Sequence, residues 1–407
     1  MTHGLHPYPA RMIPQIAERL IERYSSPHGV VLDPFCGSGG VLVESVRKGL
    51  HSVGLDINPL ACLLARVKTS PLDPKLLLNR WESLRKEIGK EMGALRFRQL
   101  KVDIPDFSET NLSYWFKPYM IEELALIKKH LDEIEEEKIR EFFQVCFSNV
   151  VRIVSGTRKG EFKLYRMPED QWKRYNPDVL EVFKQKIDDA ISKMGEFFDF
   201  VVKNRLSATA KVFEADARAM FTEGFPHEAG RILREESVDL IVTSPPYGDS
   251  RTTVAYGQFS RYSSIWLGYD KTRVLEIDRK SLGGQPRDKI PNSKTFERML
   301  QKITSEKRAE EVKSYFVDLE ECLQKLQIVL TPQGYACFVL GNRTVNKAQI
   351  PTDKILAELG KNVGFERVTV INRRIPSKRI PWKSSPTNVP GQKVNTISRE
   401  NIVVLRK

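Results

Sequence analysis

No uninterrupted apolar run in these 407 residues approaches the roughly 18 that a membrane-spanning helix needs. The first residues, MTHGLHPYPARMIPQ, lack the hydrophobic stretch of a signal peptide. Both absences point to an intracellular, cytoplasmic protein without a membrane partner. Cysteine is scarce: Cys36, Cys62, Cys146, Cys322 and Cys337 are an odd number, far apart, with no CxxC pair. That spacing argues against a disulfide framework and a zinc centre, and leaves buried thiols as the expectation. Gly (24) and Pro (23) show no excess, and the chain is 41% hydrophobic and 29% charged, which excludes fibrous and disordered classes. Negative charge is the minority sign, 52 acidic residues against 65 Lys plus Arg, so the net charge is +13. Such an excess accompanies proteins that meet a polyanion, and basic housekeeping proteins as well. The length allows two or three structural units, or one large domain carrying an insertion.

What is present is an alternation of strand and helix. A short apolar strand (Val30, Val31, Leu32), a glycine turn, an amphipathic helix to about Lys48 and a second strand (Val53, Gly54, Leu55) make one β-α-β half. Arg47 and Lys48 followed by Gly49 read as the end of that helix. A further helix runs from Pro59 to Lys68 before Pro71 and Pro74 break the pattern. Residues 71–206 are rich in Lys and Glu at helical spacing, with Leu124, Ile127, Leu131 and Ile134 on one face. Strand-like text resumes at 210–214, 238–243 and 335–340, with a helix from about Glu311 to Val329, and two β-like runs close the chain at 367–372 and 401–405. The expected fold is α/β: a Rossmann-like, doubly wound, mostly parallel sheet with a largely helical insertion. The expected domains are 1–70, the cofactor-binding first part of a catalytic domain; 71–206, the insertion; and 207–407, its second part.

VLDPFCGSGG, residues 31–40, places Asp33 at a strand end and Gly37 and Gly39 at the mouth of a helix. Glycine there lets a ligand press against the backbone, and the helix start offers free N–H groups and partial positive charge. Asp56 in GLDIN ends the second strand, where a carboxylate can accept both ribose hydroxyls of an adenosine ligand. A glycine-rich strand-turn-helix alone leaves NAD, other nucleotides and S-adenosylmethionine open. Neither GxGxxG nor the GK[ST] of a phosphate-binding loop is matched, because no glycine stands three beyond Gly39. An acidic residue before the glycines suits a cationic ligand without pyrophosphate.

VDLIVTSPPYGDS, residues 238–250, is an apolar strand running into Ser244, Pro245, Pro246 and Tyr247. Two prolines at a strand end fix an extended backbone and leave carbonyl acceptors that no sheet partner uses. Such acceptors suit the exocyclic amino group of a base, a poor nucleophile while its lone pair is delocalised into the ring. Hydrogen bonds to Ser244 and to the Pro245 carbonyl favour a tetrahedral nitrogen, and Tyr247 is placed to stack on a flipped base. With DPFCGSGG and GLDIN ahead of SPPY, the chain resembles the amino-group DNA methyltransferases, over about residues 1–70 and 207–407.

The resemblance implies a class I methyltransferase fold and S-adenosylmethionine as cofactor. It places cofactor contacts at His6, Tyr8, Pro9 and Ala10 in HPYPARMIP; at Asp33, Pro34, Phe35, Gly37, Ser38 and Gly39; at Asp56 and Ile57; and at Asp216 and Ala217 in FEADAR. It makes Ser244, Pro245, Pro246 and Tyr247 the catalytic tetrapeptide. Serine in its first position is similar to the cytosine-N4 enzymes, whereas aspartate is more typical of adenine-N6 enzymes. Cytosine N4 is therefore favoured and adenine N6 is the alternative. Methylation at cytosine C5 needs a cysteine in a Pro-Cys context, and no Pro-Cys dipeptide occurs. A tRNA guanine-N2 methyltransferase, a protein glutamine methyltransferase and a non-catalytic DNA-binding module are the rivals.

Double-stranded DNA is the expected substrate, and a cognate restriction endonuclease the candidate partner, in a prokaryotic cytoplasm at the nucleoid. Seven basic residues fall between Arg152 and Arg174 against three acidic ones, with Phe162, Tyr165 and Trp172 interleaved. Cations for phosphates beside aromatics for bases fit a nucleic-acid surface, and a solvated helical face over buried aromatics fits as well. The candidates are Arg152, Arg158, Lys159, Lys163 and Arg166; Arg251 and Arg261 beside the tetrapeptide; and Lys378 and Arg379 in the basic loop RRIPSKRIPWK. By resemblance the insertion is the target-recognition region. His3 and His6 lack a third ligand, so no metal is expected.

Overall fold

Apolar runs that are buried on both faces form central strands, and three short ones organise this molecule: VLD at 31–33, SVGLD at 52–56 and VDLIVT at 238–243. The computed structural model describes residues 1–108, 110–248, 254–375, 383–384, 394–395, 397 and 399–407. The chain divides into two compact units. One comprises 10–57, 208–255 and 277–407, and the other 1–9, 58–207 and 256–276.

The first of these units holds a seven-stranded sheet. Its strands are β1 (Val31–Asp33), β2 (Ser52–Asp56), β3 (Ala210–Glu214), β4 (Val238–Thr243), β5 (Leu330–Gly341), β6 (Glu366–Arg374) and β7 (Arg399–Arg406). The spatial order is β3-β2-β1-β4-β5-β7-β6. Neighbours from β3 to β5 are parallel, whereas β7 runs antiparallel between β5 and β6. The sheet is thus doubly wound and mostly parallel, with the order reversing between β1 and β4. At such a switch point the loops beyond the two strand ends diverge and leave room for a ligand.

Alternation along the strands feeds two cores. Val31, Leu240, Val242, Cys337, Val339, Ile402 and Val404 pack with the helix Pro14–Tyr24 on one face. Leu32, Ile241, Ala336, Phe338, Leu340, Val403 and Leu405 pack on the other, against the helices Glu306–Val329 and Thr352–Asn362. Each carries a continuous apolar stripe, which is what a sheet buried on both faces requires.

The second unit is helical. Its longer helices are Pro59–Thr69, Pro74–Arg96, Pro118–Asp132, Glu137–Val154, Val179–Lys203 and Tyr256–Trp266. Three begin with proline, whose missing N–H costs nothing in a first turn, and Asn58, Asp73 and Asp178 accept first-turn N–H groups through their side chains. Glu137–Val154 buries Phe142, Phe143, Cys146, Phe147, Val150 and Val151 around most of its circumference and so forms the centre of the unit. The helix Pro59–Thr69 packs on it, because nearly all of its side chains are buried and most are apolar. Pro71 and Pro74 therefore separate two helices of one unit, and the unit boundaries fall near residues 57 and 207, with 256–276 also in the helical unit. All five cysteines are buried and none is in a disulfide. Among the described residues, no helix is long and apolar enough to cross a membrane.

Candidate active site

β1 ends at Asp33, and the backbone then turns through Pro34, Phe35 and Cys36. The Cys36 N–H reaches the Leu55 carbonyl on β2 at 2.9 Å, and the Gly39 N–H closes on the Cys36 carbonyl at 2.8 Å. Gly37 and Gly39 stand at φ of +48° and +78°, the left-handed region where a Cβ is strained. Gly39 caps the helix Gly40–Arg47, and no side chain occupies the cap position as acceptor. The helix start therefore presents backbone N–H groups without a side-chain acceptor. Pro34, Ser38 and Gly39 are buried, and Phe35 packs on the sheet core.

Two carboxylates flank this turn. Asp56, half-buried at the end of β2, accepts the Gly37 N–H at 2.9 Å. Asp33 is 3% exposed and accepts the Thr243 hydroxyl at 2.6 Å and the Phe35 N–H at 3.2 Å. Burial pushes the Asp33 carboxyl up to about 7; the bonds from Thr243 and Phe35 work against that rise, and the nearby Asp56 charge adds to it.

Thr243 is the last residue of β4, so the bond to Asp33 ties the glycine turn to the strand that delivers Ser244, Pro245, Pro246 and Tyr247. The signal for Thr243 was in the sequence, since a hydroxyl directly precedes the tetrapeptide, but only the pairing of β1 with β4 reveals its partner. Ser244 is half-buried, and among the described residues no hydrogen bond is made to its hydroxyl or to the Pro245 carbonyl. The Tyr247 hydroxyl donates to Glu400 at 3.2 Å, and Glu400 is paired with Arg373. Asp216, after β3, accepts the Arg218 backbone N–H at 2.9 Å and the Arg218 guanidinium on both carboxylate oxygens. Ala217 is buried beside it, and Ile57 is half-buried after β2.

Of the N-terminal candidates, Ala10 belongs to the sheet unit, while His6, Tyr8 and Pro9 belong to the helical unit. There His6 and Tyr8 both pack edge-on against Phe259, Tyr8 stacks on Tyr256, and the Asn58 amide donates to the Tyr8 and Ser260 hydroxyls.

The basic candidates separate into distinct environments. Arg152 lies over the Phe259 ring at 4.2 Å and donates to the carbonyls of Phe259 and Glu161; burial lowers its pKa to about 10. Lys159 lies over Tyr175 and donates to the Tyr175 hydroxyl at 2.7 Å and the Ile153 carbonyl at 2.8 Å, and burial lowers its pKa too. Both cations are thus spent on protein partners. Arg166 is stacked on Tyr114 and Trp172, 4.2 and 4.7 Å from their ring centres, with its buried Nε and Nη1 lacking hydrogen-bond partners among the described residues. Arg158 is exposed and Lys163 half-buried, both within the turn 157–166 that closes through the Thr157–Arg166 bridge. Arg261 is half-buried. Arg251, Lys378 and Arg379 lie outside the described residues.

Comparison with known proteins adds three relatives. The N6/N4 methyltransferase family, described as DNA methylase, matches residues 2–66. The type II methyltransferase M.MvaI of Kocuria varians is 37% identical, over 100% of this chain and 91% of its own. The type II methyltransferase M.MjaII of Methanocaldococcus jannaschii is 23% identical, over 69% of this chain and 64% of its own. M.BsoBI of Geobacillus stearothermophilus is 22% identical, over 88% and 77% respectively.

Proposed function

Because this chain belongs to the S-adenosylmethionine-dependent DNA methyltransferases that modify exocyclic amino groups, we propose that the ends of β1, β2 and β4 form its active site and that the methylated atom is cytosine N4. The observation that carries this reading is the Thr243–Asp33 hydrogen bond, which sets the glycine turn and the tetrapeptide side by side at one end of the sheet.

The residues present fit S-adenosylmethionine. Gly37 and Gly39 admit a ligand to the backbone, the helix start at Gly40 attracts a carboxylate, and Asp33 suits a cation. Asp56 would hold the ribose hydroxyls, and Asp216, steadied by Arg218, the adenine edge, with Pro34, Phe35, Ser38, Ile57 and Ala217 shaping the walls and Ala10 as a further contact. When bound, this cofactor supplies an electrophilic methyl group on a sulfonium.

The protein's own part is to bind and orient the nucleophile. The Ser244 hydroxyl and the Pro245 carbonyl accept the two amino N–H groups, which turns the nitrogen lone pair out of conjugation. Pro246 keeps the backbone extended, and Tyr247, anchored on Glu400, stacks on the flipped base. Serine in the first position supports cytosine over adenine. Arg158 and Lys163 are the DNA contacts we favour in the helical unit, with Arg166, Arg251, Arg261, Lys378 and Arg379 as further candidates.

Incubating duplex DNA with labelled S-adenosylmethionine and identifying the nucleoside by mass spectrometry tests this. We expect N4-methylcytosine. N6-methyladenine would overturn the base assignment, and label in tRNA with none in DNA would overturn the substrate. The relatives are type II methyltransferases, so we also read the chain as one half of a restriction–modification pair with a cognate endonuclease. Mapping of methylated positions should then return one short motif, and scattered methylation would refute the pairing.

A further inference from the structure

The helix Glu306–Val329 carries buried polar side chains, among them Tyr315 and Asp318, that no sequence motif singles out. Three residues apart, they share a helix face. Tyr315 is 2% exposed, and its hydroxyl donates to the Pro246 carbonyl at 2.6 Å. One lone pair of the second proline carbonyl of the tetrapeptide is therefore engaged, which favours Ser244 and the Pro245 carbonyl as the acceptors for a substrate amine. The bond also fixes the peptide plane from which Tyr247 departs.

Asp318 is 1% exposed and faces the other half of the site. It accepts the Gly283 N–H and the Arg287 Nε–H, each at 2.7 Å, and forms an ion pair with Arg218 Nη1 at 2.9 Å. Arg218 in turn grips both oxygens of Asp216. A buried carboxylate persists only where opposite charge and donors compensate its lost hydration, and here two guanidinium groups and a backbone N–H do so. The loop that supplies this N–H also packs on the helix: Gly283 stands at φ +71°, and a Cβ there would lie 2.9 Å from the Cβ of Tyr315. Only glycine serves at that approach.

We propose that Tyr315 and Asp318 are positioning residues for methyl transfer, bracing from one helix face the tetrapeptide that holds the target amino group and the Asp216 that reads the cofactor. This rests on the functional reading above. The two braces act on different ligands, so their losses separate kinetically. Tyr315 acts on the acceptor side and Asp318, through Arg218, on the cofactor side.

The test compares Tyr315→Phe, Asp318→Asn and Arg218→Lys with the wild type in the full chain. It measures kcat on duplex DNA at saturating S-adenosylmethionine, cofactor Kd by calorimetry, and the melting temperature. Tyr315→Phe should lower kcat roughly tenfold and leave cofactor Kd within about twofold. Asp318→Asn, and Arg218→Lys should the former not fold, should raise cofactor Kd roughly tenfold with a smaller effect on kcat. Wild-type kcat in Tyr315→Phe overturns the positioning role. So does a uniform loss of kcat and affinity that tracks the melting temperature, since that is what a purely structural role produces. A wild-type protein that methylates no DNA overturns the functional reading first, and this proposal with it.

Discussion

Asp33→Asn is the substitution with the most to reveal, because the native carboxyl is held at a proton affinity far from its ordinary one. Burial raises it from 3.8 to about 7, against the bonds from Thr243 and Phe35 and with help from the Asp56 charge. In the unfolded chain the group ionises near its ordinary value, so between about pH 4 and pH 7 the folded state binds one proton more than the unfolded state. Stability from this group therefore rises as pH falls through 7, by at most about 4 kcal/mol once pH reaches 4, and is lost again above 7. Asparagine has the same shape, can still accept from Thr243 and Phe35, and carries no charge to bury. Urea unfolding should show the variant more stable than the wild type at pH 8, with the difference narrowing to less than half as pH falls to 5. A cationic cofactor favours the ionised form, so wild-type affinity for S-adenosylmethionine should improve by up to about tenfold per pH unit from pH 6 to 7 and then level off. Asparagine should bind more weakly at pH 8 and show a flat profile. Parallel stability curves for the two proteins between pH 5 and 8, or equal wild-type affinity at pH 6 and 8, would refute the reasoning.

Ser244→Ala should reduce turnover by roughly one to two orders of magnitude with little change in cofactor Kd; normal turnover would remove Ser244 from the proposed role. Gly39→Ala forces a Cβ into the left-handed region at φ +78° and should cost about 1–2 kcal/mol, measurable by urea melting, while weakening the cofactor in calorimetry. Unchanged affinity there would mean that the turn does not hold the ligand. Arg158→Ala and Lys163→Ala should each weaken DNA binding across sequences and lower the salt slope by about 1. Arg152→Ala, with its cation spent on Phe259 and backbone carbonyls, should instead lower stability by about 1–3 kcal/mol and leave the salt slope unchanged; a fall in slope would return it to the DNA surface.

By itself the sequence determined the β-α-β half, the glycine turn between two carboxylates, the chain order of the turn and SPPY, and the helical character of the middle. These are legible because they depend on local periodicity, on residues with restricted backbones and on contiguous motifs. Even the strand ends lie within a few residues of where the apolar runs place them. The tertiary structure decided the state of each group. Asp33 acquires its high proton affinity from the sheet that buries it, and its partner Thr243 is 210 positions away. The Pro246 carbonyl is occupied by a tyrosine 69 positions on, and Asp216 is gripped by an arginine that a buried aspartate on a later helix holds in turn. Arg152, Lys159 and Arg166 read alike in the sequence, yet the first two are tied to carbonyls and rings while the third keeps two buried nitrogens without hydrogen-bond partners among the described residues. Charge and donor capacity are written in the residue type, but desolvation and the choice of partner depend on what distant parts of the chain bring within a few ångströms.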